Sequence, residues 1–400
     1  MILVDDNTKC CGCGVCVNVC PKNAITLKED KYGFKYPVID QNSCINCGLC
    51  KNKCIFQKNE DMVVKANKQQ VYSVVNKDDF VLKNSTSGGA FGALAKYIFD
   101  KGGVVYGCAW DENMYPHHIA INSFDELNKV QGSKYVQSNM HQIYKQIKDD
   151  LLMDKYVLFS GTPCQCDAVR SYLGKSYDKL YCVELICHGV PNAHYFHEFV
   201  ELLERKYNGK IIDLRFRDKK LGWGALLKIT VIKETGKKKE IYLKPEECYY
   251  YYYFFYRGLF FRESCYSCKY ACENRRSDFT IGDFWGASKF YKNYDSKKGI
   301  SVLMTSTEKA EKVINDLKLY LNIEESSLKE VMVENGQVIN PSHKDEIYVE
   351  LLKLYNELGV DGFSKWYIKS HRKQVLVGKM KRYVPKKLKK LFSMFKSKKI

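Results

Sequence analysis

From Val71 onward, short apolar runs alternate with longer stretches in which apolar residues recur every three or four positions. VYSVV (71–75), GVVYGCAW (103–110), KYVLFSG (155–161) and LYCVELI (180–186) have the length and β-branched content of buried strands. Between them, GGAFGALAKYIFD (88–100), SFDELNKV (123–130), HQIYKQIKDDLL (141–152) and NAHYFHEFVELLERKY (192–207) carry the period of amphipathic helices. Ser123, with Glu126 three residues on, fits a capping box at the start of the second helix. Such alternation predicts an α/β domain on a largely parallel sheet. Further on, IIDLRFR (211–217) and ALLKITVIK (225–233) read as strands, and 308–370 as surface and interdomain helices. YYYYYFFYRGLFF (249–261) predicts a helix or a buried strand that packs rings into the core. It lacks the interleaved basic residues of a base-stacking platform, so nucleic acid is not an expected partner.

Residues 1–57 break the pattern: they are dense in cysteine and poor in periodic runs, which predicts a small fold organised by ligands. The polar stretch from Glu60 to Gln70 reads as a connector. The chain holds 18 cysteines, too many for small core residues alone. Disulfides need an oxidising compartment. MILVDDNTKCCGCG has no basic region followed by an apolar run, and no stretch approaches the roughly 20 apolar residues of a membrane span. A cytoplasmic location with reduced, metal-binding thiols is therefore expected. The formal charge of +18 is concentrated: His371 to Ile400 holds 12 Lys and Arg and no acid, which leaves +6 (18 − 12) for the rest.

Cys10-x-x-Cys13-x-x-Cys16-x-x-x-Cys20-Pro21 recurs as Cys44-x-x-Cys47-x-x-Cys50-x-x-x-Cys54. Each is the bacterial ferredoxin run, in which three thiolates wrap one cubane and the fourth points toward the other. The resemblance implies one 4Fe–4S cluster on Cys10, Cys13, Cys16 and Cys54, and a second on Cys44, Cys47, Cys50 and Cys20. Gly12, Gly14 and Gly48 let backbone amides approach the inorganic sulfurs. Zinc is the alternative for Cys-x-x-Cys pairs, but it usually takes two such pairs per ion. Cys11 is surplus, and Ile55 stands where the second run would usually have proline.

Downstream, Ser160-Gly161-Thr162-Pro163-Cys164-Gln165, Ile186-Cys187-His188-Gly189-Val190-Pro191, Arg217-Asp218, Gly222-Trp223-Gly224, Cys265-x-x-Cys268 and Arg276-Ser277-Asp278-x-Thr280-Ile281-Gly282-Asp283-Phe284-Trp285-Gly286 occur in this order. This set resembles the family of beta subunits of coenzyme F420 hydrogenases and dehydrogenases over about residues 70–290. The resemblance implies a 1–60 two-cluster ferredoxin domain and a flavin-binding reductase domain. The latter divides into an N-terminal part (70–160) and a C-terminal part (161–340) with a further 4Fe–4S site. Cys164, Cys187, Cys265 and Cys268 are the ligands it implies, with Cys272 a competitor for one place. Cys164 and Cys187 each follow a predicted strand, at the sheet edge where open α/β folds place ligands. Cys108, Cys166, Cys182 and Cys248 read as buried structural thiols.

For FAD, the resemblance points to Ser87, Gly88 and Gly89 at a helix start, where backbone amides suit a phosphate or ring edge. It also points to Lys134, Tyr135, Gln137 and Ser138, with Lys134 offsetting charge on a reduced flavin, and to Thr162 and Pro163. His188 reads either as proton donor at the flavin or as a hydrogen-bond partner beside the cluster. Asp278 and Asp283 read as residues that fix turns.

In the tail (371–400), Val384, Leu388, Leu391, Phe392 and Phe395 share one helical face, with Lys386, Lys387, Lys389, Lys390 and Lys396 around it. This predicts peripheral contact with an anionic membrane surface, against a frayed solvated tail. The expected function is an iron–sulfur flavoprotein oxidoreductase. Electrons pass between ferredoxin-type clusters and a flavin that acts on an unidentified small molecule: an F420-type deazaflavin, or an organic substrate in surface polysaccharide synthesis. A redox partner, ferredoxin or a partner enzyme, is implied. The alternative is a non-catalytic relay subunit that serves such an enzyme.

Overall fold

The computed structural model describes residues 3–57 and 69–383. Its N-terminal module uses one device twice. Each Cys-x-x-Cys run leads into a single helical turn, Val15–Asn18 or Leu49–Asn52, entered through a left-handed glycine, Gly14 (φ 77°) or Gly48 (φ 75°). Between the two turns lies an antiparallel hairpin of β1 (Ile25–Glu29) and β2 (Lys35–Ile39), with Ile25 opposite Ile39. Leu3, Ile25 and Cys50 form nearly all of its own buried cluster. So small a core cannot hold a module this size by itself.

The remaining strands are β3 (Gln70–Asn76), β4 (Val104–Trp110), β5 (Pro116–Ile121), β6 (Val157–Gly161), β7 (Leu180–Leu185), β8 (Lys210–Arg215), β9 (Leu227–Ile232), β10 (Lys238–Leu243), β11 (Phe279–Asp283), β12 (Ser301–Thr305) and β13 (Leu321–Ser326). Among the described residues, eight of them make one sheet in the order β13-β3-β12-β11-β7-β6-β4-β5. The class is α/β. However, only β4, β6, β7 and β11 run parallel to one another, while β5, β12, β3 and β13 pair antiparallel. The expectation of a largely parallel sheet is thus corrected at both flanks. On one side the cause is plain: residues 111–115 alone join β4 to β5, too few for the crossover of a dozen or more residues that a parallel pair requires. β3 sits between β12 and β13, so the first strand of this region is sealed among the last.

β8, β9 and β10 form a separate antiparallel sheet with β9 at its centre. It packs with helices Ala193–Tyr207 and Tyr348–Ser370 around the aromatic run. That run is a helix of the wide kind, Tyr250–Tyr256, ending in an Arg257 N–H bond to the Tyr252 carbonyl five residues back. Tyr250, Tyr251 and Phe254 are fully buried. The Tyr251 hydroxyl donates to the Phe216 carbonyl at 2.7 Å, which removes the cost of burying it.

The capping box at Ser123 is not formed. The segment opens as a tight turn, Phe124–Glu126, and the Glu126 carboxylate accepts from the Asn122 N–H at 3.0 Å instead. Among the described residues, no helix is long and apolar enough to cross a membrane. Helix Arg372–Tyr383 opens the basic tail, while the amphipathic stretch from Val384 onward lies outside the described residues.

Candidate metal centres and cofactor cavity

The cysteines fall into three groups. Cys16 lies within electrostatic reach of Cys13, Cys10 and Cys54, and Cys54 within reach of Cys13 and Cys10. Cys20, Cys44, Cys47 and Cys50 line one small cavity together with Ile25, Ile39 and Gly48. Cys187 is influenced by Cys265, Cys164 and Cys268. The strands explain the third group: β6 and β7 are adjacent and parallel, so Cys164 and Cys187 leave the same sheet edge. The Cys272 thiol is directed to the Asn274 carbonyl at 3.4 Å.

The donor chemistry fits cubanes. The groups consist of thiols, the donors that hold a 4Fe–4S cubane. Burial pushes the thiols of Cys16, Cys54 and Cys187 upward, and that of Cys265 to about 12. Thiols so placed become ligands only when a cation offsets the loss of their protons.

The first group is built into the interface between the modules. Five side chains of the larger region donate to carbonyls of the two loops that carry it. Arg262 Nε reaches Cys10 O at 2.6 Å, Gln137 reaches Cys11 O at 3.0 Å, and the Tyr144 hydroxyl reaches Cys13 O at 2.7 Å. Ser171 bonds Lys53 O at 2.7 Å, and Lys269 bonds Ile55 O at 2.5 Å. Val15 and Ile55 are buried in the larger region's core with Tyr144, Ile147 and Val169. Ile55, where proline is usual, is therefore an anchor, and burying such a side chain contributes about 1.5–3 kcal/mol. Cys11 also has a place here: its side chain lies against both Cys13 and Cys164, between the first and third groups, and hydrogen bonding to them holds its thiol well above the usual range.

Residues 132–138 run as a strap from this interface to a second cavity. Ser138 Oγ accepts from Gln165 at 2.9 Å and lies 3.2 Å from His118 Nδ1. His118 Nε2 is 3.1 Å from the Ser160 carbonyl, so it carries the proton, and burial lowers its pKa to about 4. Gln165 Oε1 in turn accepts from the Thr162 N–H at 3.0 Å, and the Thr162 hydroxyl lies 3.1 Å from Cys164 Sγ. Pro163 is buried at the first position of helix Pro163–Leu173, where its missing N–H costs nothing. Tyr135 stacks on Phe255 at 3.5 Å and accepts from Arg217 Nη1 at 3.2 Å. Arg217 also pairs with Asp283 at 2.9 Å, which accepts from Trp223 at 3.1 Å beside the stacked Trp223–Trp285 pair.

The cavity is lined by Thr86, Gly132, Ser133 and Lys134, by Trp110 and His117, and by Lys83, Lys129, Arg215 and Arg217. Asp213 and Asp218 also line it, yet the balance of charge is positive, which suits a phosphate-bearing ligand. The segment before helix Ala90–Phe99 is arranged differently from expectation, because only Thr86 reaches this cavity. Ser87 donates to the Ile300 carbonyl at 2.6 Å, and the Gly88 N–H to Ser301 Oγ at 2.8 Å. Gly89 takes a left-handed φ of 84° at the helix start. The Ser87 hydroxyl and the Gly88 amide are thus engaged at the β3–β12 seam. His188 is outside the lining, 5.8 Å from the Phe255 ring, and burial holds it below the usual imidazole range. Asp278 accepts from the Cys182 N–H at 2.8 Å and the Thr307 hydroxyl at 2.9 Å, joining neighbouring strands. Cys166, Cys182 and Cys248 are buried, whereas half-buried Cys108 neighbours Lys134. Arg262, Tyr144 and His118 carry no sequence motif. The one available signal was a basic residue, Arg262, directly after the aromatic run and three residues before Cys265.

A mixed α/β sheet carrying thiol groups at its edge, joined to a cysteine-organised module, defines an iron–sulfur protein of the electron-transfer kind. Residues 154–331 match the family described as the C terminus of the coenzyme F420 hydrogenase/dehydrogenase beta subunit, and residues 9–58 match the 4Fe-4S dicluster domain. Residues 154–331 thus carry the C-terminal region of that family, and residues 9–58 a dicluster domain ahead of it. The chain is 24% identical over 202 residues to the F subunit of F(420)H(2) dehydrogenase from Methanosarcina mazei, a match spanning 45% of this chain and 55% of that protein. The chain thus aligns with about half the length of that relative. A chain of the F420-reducing [NiFe] hydrogenase complex from Methanosarcina barkeri, a xenon-derivatized structure, superposes with a TM-score of 0.43 at 15% identity, covering 75% of this chain and 95% of that one.

Proposed function

We propose that the chain is a flavin-dependent iron–sulfur oxidoreductase exchanging electrons between a redox partner and a small molecule. The ligand sets are Cys10, Cys13, Cys16 and Cys54; Cys20, Cys44, Cys47 and Cys50; and Cys164, Cys187, Cys265 and Cys268. When bound, cubanes carry electrons singly and FAD trades single electrons for pairs. The carrying observation is the position of Cys11 against both Cys13 and Cys164, which makes the first and third sets neighbours.

The protein's own residues have distinct tasks. Lys134, Arg215 and Arg217 attract the cofactor's phosphates into the cavity, and the 132–138 strap fixes the path from it to the thiols. Tyr135 and its Phe255 stack exclude water along that path. His188 serves as a proton donor, or as a hydrogen-bond partner at Cys187. The substrate is an F420-type deazaflavin or another organic molecule, with surface polysaccharide synthesis as one setting. The partner is a ferredoxin or a companion protein, in keeping with the relative's description as a dehydrogenase subunit. The basic tail favours an anionic membrane face.

Anaerobic purification with iron, sulfide and flavin quantitation tests this. The expected result is about twelve irons, about twelve sulfides and one FAD per chain. Pale material without sulfide overturns the reading. Full clusters without flavin leave the relay role instead.

A further inference from the structure

Arg262 is the largest fully buried side chain of the described residues, at 0% exposure. It reaches this position from the end of the aromatic run, and every part of its head is engaged. Nε donates to Cys10 O at 2.6 Å, Nη2 to Lys35 O at 2.8 Å and Nη1 to Gln137 Oε1 at 3.2 Å. Nη2 also lies 3.5 Å from Cys10 Sγ. The guanidinium plane sits 4.3 Å from the Tyr36 ring centroid and 5.6 Å from that of Phe34.

No carboxylate among the described residues pairs with it. A buried charge without an opposite charge is costly, and a guanidinium does not escape that cost by losing its proton. Its acidic neighbours are instead Cys10 and Cys11, with Tyr36, and weaker influence reaches Cys13, Cys164 and Cys265. Such a site makes physical sense when the thiols are present as thiolates, as they are around a cubane. The distal set, Cys20, Cys44, Cys47 and Cys50, has no counterpart: its cavity is lined by Lys22 alone among cations, at the surface.

We infer that Arg262 is a positioning residue that sets the reduction potential of the first cubane site, making it the preferred resting place for an electron between the surface and the cavity. Taking up one electron makes that thiolate-ligated site one unit more negative, with no bond made or broken and no proton required. A fixed cation in hydrogen-bond range of Cys10 favours the reduced state, and in a dry interface its field is weakly screened. Gly12 permits the arrangement: a Cβ there would meet Arg262 Nη1 at 2.7 Å and its Cζ at 2.9 Å.

This inference rests on the cluster assignment above, and the test separates the two. Full-length holoprotein is titrated anaerobically with dithionite and mediators, following each centre by EPR, with iron and sulfide measured in parallel. The signal of the first site is identified by its loss in C54S. In R262Q, reduction of that site should become at least tenfold less favourable, a fall of about 59 mV for one electron. The distal centre should be unmoved, and R262K should retain most of the wild-type potential. Wild-type protein without iron and sulfide refutes the cluster assignment itself. Iron-replete R262Q with an unchanged potential overturns the role of Arg262, as does R262K falling as far as R262Q. Should R262Q lose iron, Q137E decides. It keeps every ligand and places a carboxylate against the guanidinium, so an unmoved first-site potential overturns the inference and a lowered one supports it.

Discussion

Gly12→Ala probes the seam between the two modules. Gly12 has φ 68°, and an added Cβ would meet Gln137 Nε2 at 2.5 Å and Arg262 Nη1 at 2.7 Å. Gly48, in the second run, is also left-handed, with φ 75°, but has nothing within 4 Å of an added Cβ. Both substitutions carry the left-handed backbone cost of about 1–2 kcal/mol. Only G12A adds overpacking, of about 1–3 kcal/mol, because neither Gln137 nor Arg262 is free to withdraw: each is bonded to a carbonyl of the cysteine loop. The expected destabilisation is about 2–5 kcal/mol for G12A against about 1–2 for G48A. Anaerobic urea titration of each reconstituted protein, followed by tryptophan fluorescence and by visible absorption, compares the midpoints at constant slope. Equal midpoints would refute the claim that the first cysteine loop is clamped by the larger region.

Three further outcomes are expected. C187S should lose about four irons, whereas C272S, whose thiol bonds the Asn274 carbonyl, should keep all of them on quantitative iron assay. His118 titrates at about 4 when folded against 6.5 when free, so the unfolded chain binds the extra proton between those values. Stability is then complete above pH 6.5 and declines as pH falls toward 4, by about 3 kcal/mol at most; denaturation across that window should be flatter in H118Q. D283N leaves the buried Arg217 without its partner at 2.9 Å and should cost about 3–5 kcal/mol by chemical denaturation, more than the paired R217M/D283L change.

Much of this protein was legible along the chain. Cysteine spacing is a local property, so both ferredoxin runs and the Cys265-x-x-Cys268 pair could be read without a fold. Strands β3, β4, β6 and β7 carry enough apolar β-branched residues to announce themselves, and the helices between them keep their period. Features that depend on contacts distant in sequence were hidden. β5 was missed because PHHIAI is half polar, and β13 because Leu321–Ser326 is an edge strand with acidic outer positions. Ser87 and Gly88 look like part of a ligand-cradling turn, but Ile300 and Ser301, over two hundred residues later, accept the bonds of the Ser87 hydroxyl and the Gly88 amide. Cys11 looked surplus and Ile55 aberrant, yet one bridges two thiol groups and the other anchors the small module. Arg262 has no local signature at all: its meaning arises only where residues 10, 35, 137 and 262 meet. Ligand identity is set by residue type and spacing, which a sequence displays. The charge a ligand feels is set by what folding brings beside it, and that belongs to the tertiary structure alone.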